Sequence, residues 1–256
     1  MAFYTPRNIS PADQILFDAS GNAVGIQAAG SSSQPVLGMT PAKAAAVDSL
    51  VSGDRITTWS NRAALVTAGF TTAFFTDVGI GGSYWDYLGG RWRPQARVVT
   101  LKNLTSSVTQ NNNMRAVMDF CTLPPGLWQD GDILECRFYK AMVSGIDIDT
   151  TESAIGTGSG TFGTSLGLST AALTNTNPVL SAAWRWRRVS NSIIRHASIG
   201  GSTGLGSGGA LLNDITVSVP DLDAVTTYPQ LSGMLTTVSG AVSALRGCTW
   251  TLICGA

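Results

Sequence analysis

The 256-residue chain is 44% apolar, enough to bury a core, yet only 12% charged, and its 16 basic and 16 acidic residues balance to zero net charge. That balance excludes duplex nucleic acid as the main partner, because displacing counterions takes a cationic excess. The length suits one large β domain or two small units and an arm, and a neutral surface rich in Ser, Thr and Gly suits a chain that hides much of it in an assembly.

Residues 1–26 read as an arm with a small hairpin, in which Ile15, Leu16 and Phe17 face Ala23, Val24 and Ile26 across a Ser20-Gly21-Asn22 turn signal. Residues 27–39 read as a linker, and 1–40 together as an anchoring segment. Residues 1–7 carry no apolar run of the kind a secretory leader has, so no leader is expected there. The longest apolar-leaning uncharged stretch, 63–76, is too short and threonine-rich to span a bilayer. The expectation is folding in a reducing cytoplasm, with no membrane insertion. Thr40-Pro41 looks like a helix start, followed by an apolar stripe of Ala44, Val47, Leu50 and Val51 that Gly53 ends.

Residues 41–94 are expected to hold that short helix and a small β unit. Its clearest signal is Gly89-Gly90 between the aromatic runs of Tyr84, Trp85, Tyr87 and of Trp92, since glycines at both turn positions accept positive φ. Residues 95–256 then read as a string of strands at 97–104, 114–122, 133–140, 179–189, 193–199, 215–219, 234–238 and 248–253. In the fourth of these, Leu180, Ala182, Trp184 and Trp186 alternate with Ser181, Ala183, Arg185 and Arg187, so tryptophans and arginines take opposite faces. The fold class expected is mainly β: an extended arm and small hairpin unit followed by an antiparallel, jelly-roll-like sandwich. Segments 141–178 and 200–213 read as long, glycine-rich loops.

Several of these stretches resemble one family. The aromatic hairpin at 73–94 is similar to a module of phage tail-fibre and head-fibre proteins. The segment 121–134, with Pro124, Pro125, Trp128, Asp130 and Asp132, resembles the strand–turn–strand that opens their C-terminal jelly rolls, and 213–219 and 248–253 resemble the closing strands. The resemblance implies a homotrimeric virion component of the fibre, spike or decoration type. It further implies docking on other phage capsid or tail proteins through the N-terminal segment, an outward-facing sandwich and no catalytic residues. The rival reading is a receptor-binding module for a host surface glycan or protein.

Chemistry-bearing patterns are few. Gly163, Ser165 and Gly167 match GxSxG, but a loop-like run precedes them and no acid lies between Ser165 and the only histidine, His196, so a hydrolase elbow is not expected. Gly204, Gly206 and Gly209 match GxGxxG without the strand and helix that dinucleotide binding needs. Asp147, Asp149 and Glu152 are a weak calcium candidate, with a solvated acidic loop as the preferred reading. Cys121, Cys136, Cys248 and Cys254 form no CxxC pair and read as free buried thiols; no cofactor is expected. Candidate interface or ligand residues are Phe17, Trp85, Tyr87, Trp92, Arg185 and Arg187. The aromatic three can stack on a sugar or, the preferred reading, pack as hairpin core. The arginines suit ion pairs with a neighbouring subunit.

Overall fold

The computed structural model describes residues 3–4, 14–17, 23–27, 36–37, 55–67, 69–145, 147–173, 179–196, 216–235 and 240–255. The chain divides into two compact units, Met1–Ala96 and Arg97–Ala256. In the first, β1 (Phe3–Tyr4) pairs antiparallel with β4 (Val36–Leu37), and β2 (Gln14–Phe17) with β3 (Ala23–Gln27). The β2–β3 pair is the hairpin read from the sequence. The helix expected at 40–53 lies outside the described residues.

A four-stranded sheet follows, in the order β5 (Arg55–Thr57), β6 (Thr72–Phe75), β7 (Ser83–Leu88), β8 (Arg91–Pro94). The first pair is parallel. Parallel neighbours need a crossover, and a 3₁₀ turn (Trp59–Asn61) running into a short helix (Arg62–Thr67) supplies it. This helix was not expected. With six residues and Leu65 as the buried one, it is too short to show a helical stripe. The β7–β8 turn is the expected glycine pair, with φ of 59° at Gly89 and 84° at Gly90. Behind the sheet, Trp59, Phe75, Trp85 and Trp92 meet edge to face, with centroids 4.9 Å apart for Trp59–Phe75 and Trp59–Trp85 and 5.3 Å for Phe75–Trp92.

The second unit is a sandwich of two antiparallel sheets. Its strands are β9 (Val98–Asn103), β10 (Val108–Gln110), β11 (Ala116–Phe120), β12 (Ile133–Ser144), β13 (Asp149–Gly156), β14 (Thr164–Leu173), β15 (Val179–Ser190), β16 (Ile193–His196), β17 (Thr216–Ser218), β18 (Tyr228–Leu235) and β19 (Val242–Ile253). The larger, seven-stranded sheet runs β10-β19-β12-β15-β16-β17, and β9 also pairs with β19. Because β9 takes Thr249 to Ile253 and β10 takes Ser243 to Leu245, they act as two halves of one interrupted edge strand. The smaller sheet runs β11-β18-β13-β14. The chain thus starts in the large sheet, crosses to β11, returns to β12, crosses to β13 and β14, returns to β15, crosses to β18 and closes at β19. That double Greek key is the jelly-roll order.

Alternation along the long strands fills the interior. Leu134, Cys136 and Phe138 of β12, Trp184 and Trp186 of β15 and Cys248, Trp250 and Leu252 of β19 all point inward and are buried. Trp186 and Trp250 stack at 6.5 Å, and Trp184 meets Phe138 edge-on at 4.7 Å. All four cysteines are buried, and none is in a disulfide.

The sequence reading missed β10, β13 and β14 and shifted β18. The loop expected at 141–178 is instead the end of β12 plus two strands of the smaller sheet. In β13 the fully buried positions begin with Asp149, Thr151 and Ser153, so the period-two signal is written in polar residues and does not stand out as hydrophobic alternation. Most of β18 is buried on both faces, and Pro229 lowers its strand signal.

Candidate functional site

The residues singled out by sequence are dispersed. Trp85 and Trp92 form the aromatic core of the small sheet; Tyr87, half-buried, packs its ring 5.4 Å from Trp92. The indole of Trp85 donates to the Ser83 hydroxyl at 2.8 Å, and that of Trp92 to the Arg62 carbonyl at 3.2 Å. These rings are occupied by packing. Phe17 lies in β2, and its side chain is outside the described residues.

The three acidic candidates for calcium do not converge. Asp149 points into the sandwich and pairs with Lys140, while Glu152, three residues on, takes the opposite face, pairing with Arg115 and accepting the Ser165 hydroxyl. Asp147 is buried in the β12–β13 connection, where its Oδ1 accepts the Ile148 N–H at 2.6 Å. The acidic stretch is thus not a solvated loop: strand geometry sends neighbours of odd separation to opposite faces. Among the described residues no group of three His, Cys, Asp or Glu side chains is placed to hold a metal ion.

The GxSxG serine, Ser165, lies in β14 opposite Ala154. Its leading glycine has a packing role. A Cβ at Gly163 would overlap the Ile155 carbonyl, because the 157–163 loop folds tightly back on the sheet. The Gln230 amide fixes that loop, donating to the Gly158 and Thr161 carbonyls at 2.8 Å each and accepting the Gly163 N–H at 3.0 Å. The GxGxxG stretch and the 200–213 loop lie outside the described residues.

Arg185 and Arg187 belong to the outer face of the large sheet, and this face carries the most distinctive surface chemistry of the second unit. Several outward positions on the central strands are small or neutral: Ser181 and Ala183 on β15, Gly247, Thr249 and Thr251 on β19. Among them stand Val98, Tyr139, Val143, Val179 and Val189, each between 36% and 51% exposed. One carboxylate, Glu135, sits directly opposite Arg185 and is held in a fork by Arg185 and Arg137, whose side chains leave it 3% exposed. Burial alone would push its carboxyl up, but the paired guanidinium groups outweigh that and hold it below the usual range. Arg187 is exposed at the end of the same row, across from Arg195. A shallow depression of about 590 Å³ crosses the face beside the fork, bordered by Asn103, Arg137, Tyr139, Ser181 and Thr249.

Sequence reading missed Glu135, Arg137 and Tyr139 here, and the inward charges Lys140 and Arg188. The alternation that placed Trp184 and Trp186 inward also places Arg188 inward, and Leu134, Cys136 and Phe138 lead to Lys140 in the same way. Continuing each period by one step would have found both. Arg188, 4% exposed, grips both oxygens of Asp223, at 2.9 and 2.6 Å, and Asp130 at 2.7 Å, tying two loops together.

Comparison of the chain with family models, with curated proteins and with solved structures gives no match. The strand order therefore defines the class, an antiparallel jelly-roll sandwich joined to a small mixed sheet, and the function rests on the surfaces just described.

Proposed function

We propose that the chain is a non-enzymatic structural subunit of a tailed-phage particle: a trimeric fibre, spike or decoration protein attached by its N-terminal arm. The observation that carries this reading is the outer face of the large sheet, where exposed valines and Tyr139 stand among Ser, Thr, Ala and Gly, with the Arg137–Glu135–Arg185 fork and Arg187 in the same rows, over four neighbouring strands. Exposed apolar patches of this kind mark association surfaces. A chain of zero net charge adds no long-range repulsion when copies approach. Closed cyclic assembly buries the same patch on each copy, and three arms on one trimer reinforce each other's hold on the particle. The family resemblance of 73–94 and 121–134 supplies the phage context and the expected threefold state.

Native mass spectrometry of the full chain tests this. The wild type is expected as a trimer, and Tyr139→Glu with Val143→Glu as a monomer of unchanged circular dichroism. A wild-type monomer at micromolar concentration would sink the proposal.

The depression beside Tyr139 favours a second reading, recognition of a host glycan. A half-exposed aromatic ring flanked by Asn103, Arg137, Ser181 and Thr249 offers a stacking surface and hydrogen-bonding groups. Tyr139→Ala separates the two: loss of glycan-array binding with an intact trimer favours the glycan site, and loss of the trimer favours the interface.

A further inference from the structure

Lys140 and Asp149 face each other inside the jelly roll, from β12 of one sheet and β13 of the other, and both side chains are 0% exposed. The Lys140 Nζ donates to Asp149 Oδ1 at 2.7 Å and lies 2.6 Å from Oδ2, with which no donor is aligned. A nitrogen so close to both oxygens of a carboxylate lies about 3 Å from the carbon between them, within the range of a near-attack arrangement. The Thr151 hydroxyl, on the same face of β13, is 3.3 Å from Nζ. The space for Nζ exists because β18 has glycine there: a Cβ on Gly233 would sit 2.6 Å from Nζ and 2.6 Å from the Met118 sulfur.

Burial lowers the Lys140 pKa, with Asp149 opposing that shift through its charge and its hydrogen bond. The neutral, nucleophilic amine is therefore more accessible than on a surface lysine. In a low-dielectric interior a proton can move within such a pair and neutralise both groups.

We infer that Lys140 and Asp149 become joined by an intramolecular amide bond. The proton passes from the Nζ ammonium to the carboxylate, leaving an amine and a carboxylic acid. The Nζ lone pair attacks Cγ, forming the N–C bond of a tetrahedral intermediate. The Thr151 hydroxyl relays a proton from nitrogen to the departing hydroxyl, the C–O bond breaks, and one water leaves. One N–C bond replaces one C–O bond, nothing is oxidised or reduced, and no co-reactant is needed. Two buried charges become one neutral amide, removing the desolvation cost of the ion pair and fastening the two sheets where the chain crosses between them. This inference is independent of the proposed role in assembly.

Tryptic peptide mapping of the full-length protein by mass spectrometry tests it. No Lys or Arg lies between Lys140 and Arg185. An unlinked chain is cut after Lys140 and yields peptides 138–140 and 141–185. A linked chain resists that cut and yields a single peptide 138–185, lighter by one water. The linked peptide is expected to predominate in the wild type and to be absent from Lys140→Arg, which keeps the charge pair. Asp149→Asn is expected to give the same linked mass by loss of ammonia, and Thr151→Val to form the link at least about tenfold more slowly. Peptides cut after Lys140 in the wild type, at full mass or with water lost from Asp149 alone, would overturn the inference. This readout decides it whether or not Lys140→Arg folds.

Discussion

Inside the small sheet, Trp59, Phe75, Trp85 and Trp92 fill the interior with rings, and hydrogen bonds from the Trp85 and Trp92 indoles end on nearby oxygens. Inside the jelly roll, a comparable cluster of Phe138, Trp184, Trp186 and Trp250 shares the space with Lys140, Asp149, Asp119 and Arg188. The first interior is held by apolar burial and ring packing, which tolerate approximate geometry. The second places ionic groups at fixed points, and each must meet its partner. Asp119 shows the demand: it accepts the Trp250 indole N–H at 2.8 Å on one oxygen and the Lys102 ammonium on the other. Burying an ion pair adds little net stability, but leaving one member alone is costly. The small unit should therefore respond to lost volume and the jelly roll to lost partners.

Five variants sharpen that contrast. Trp85→Ala should remove about 3–5 kcal/mol from the small unit, read as a lower midpoint in the Trp fluorescence transition under urea; a change below about 1 kcal/mol would mean the ring cluster is not a packed core. Compared with Lys140→Met combined with Asp149→Leu, which is equally unable to form the amide, Lys140→Ala should cost the jelly roll about 3–5 kcal/mol by stranding Asp149. Thermal unfolding of the two variants side by side checks it, and equal midpoints would show that volume, not charge, governs this interior.

Gly163→Ala should cost about 1–3 kcal/mol, because the added methyl meets the Ile155 backbone and the strands must shift. Chemical denaturation, with hydrogen exchange at the 157–163 loop, checks it. The smallest effect belongs to Glu135, whose folded pKa is depressed. Its stabilising contribution is present above the unfolded value of about 4.3 and is lost as pH falls through the lower folded value. Glu135→Gln should flatten the stability profile below about pH 4.5 by about 1 kcal/mol at most, measured by unfolding across pH 3–7. An unchanged acid limb would remove the Arg137–Glu135–Arg185 fork from the account.

Much of the jelly roll was legible because its large sheet writes a clear alternation: β12, β15 and the second half of β19 carry large apolar residues inward, and turn residues bound them. The smaller sheet was largely illegible. β13 buries Asp149, Thr151 and Ser153, which score as loop by composition yet occupy core positions because a lysine and a neighbouring sheet lie opposite. Of the aromatic trio, Trp85 and Trp92 are buried in the small sheet, and Tyr87 lies half-buried against Trp92. The Glu135 fork was invisible, because its three members lie on two strands and become neighbours only through the β12–β15 register.

By itself, the sequence determined the β class, the glycine-pair hairpin, the inward tryptophans of β15 and the buried thiols, since each depends on local turn preferences or on a two-residue period within one strand. Only the tertiary structure decided the jelly-roll order, the polar interior strand, the meeting of Lys140 with Asp149 and the composition of the outer face. Those depend on which strands pair across long separations, and that pairing is selected by the summed packing of the whole sandwich rather than by any one segment.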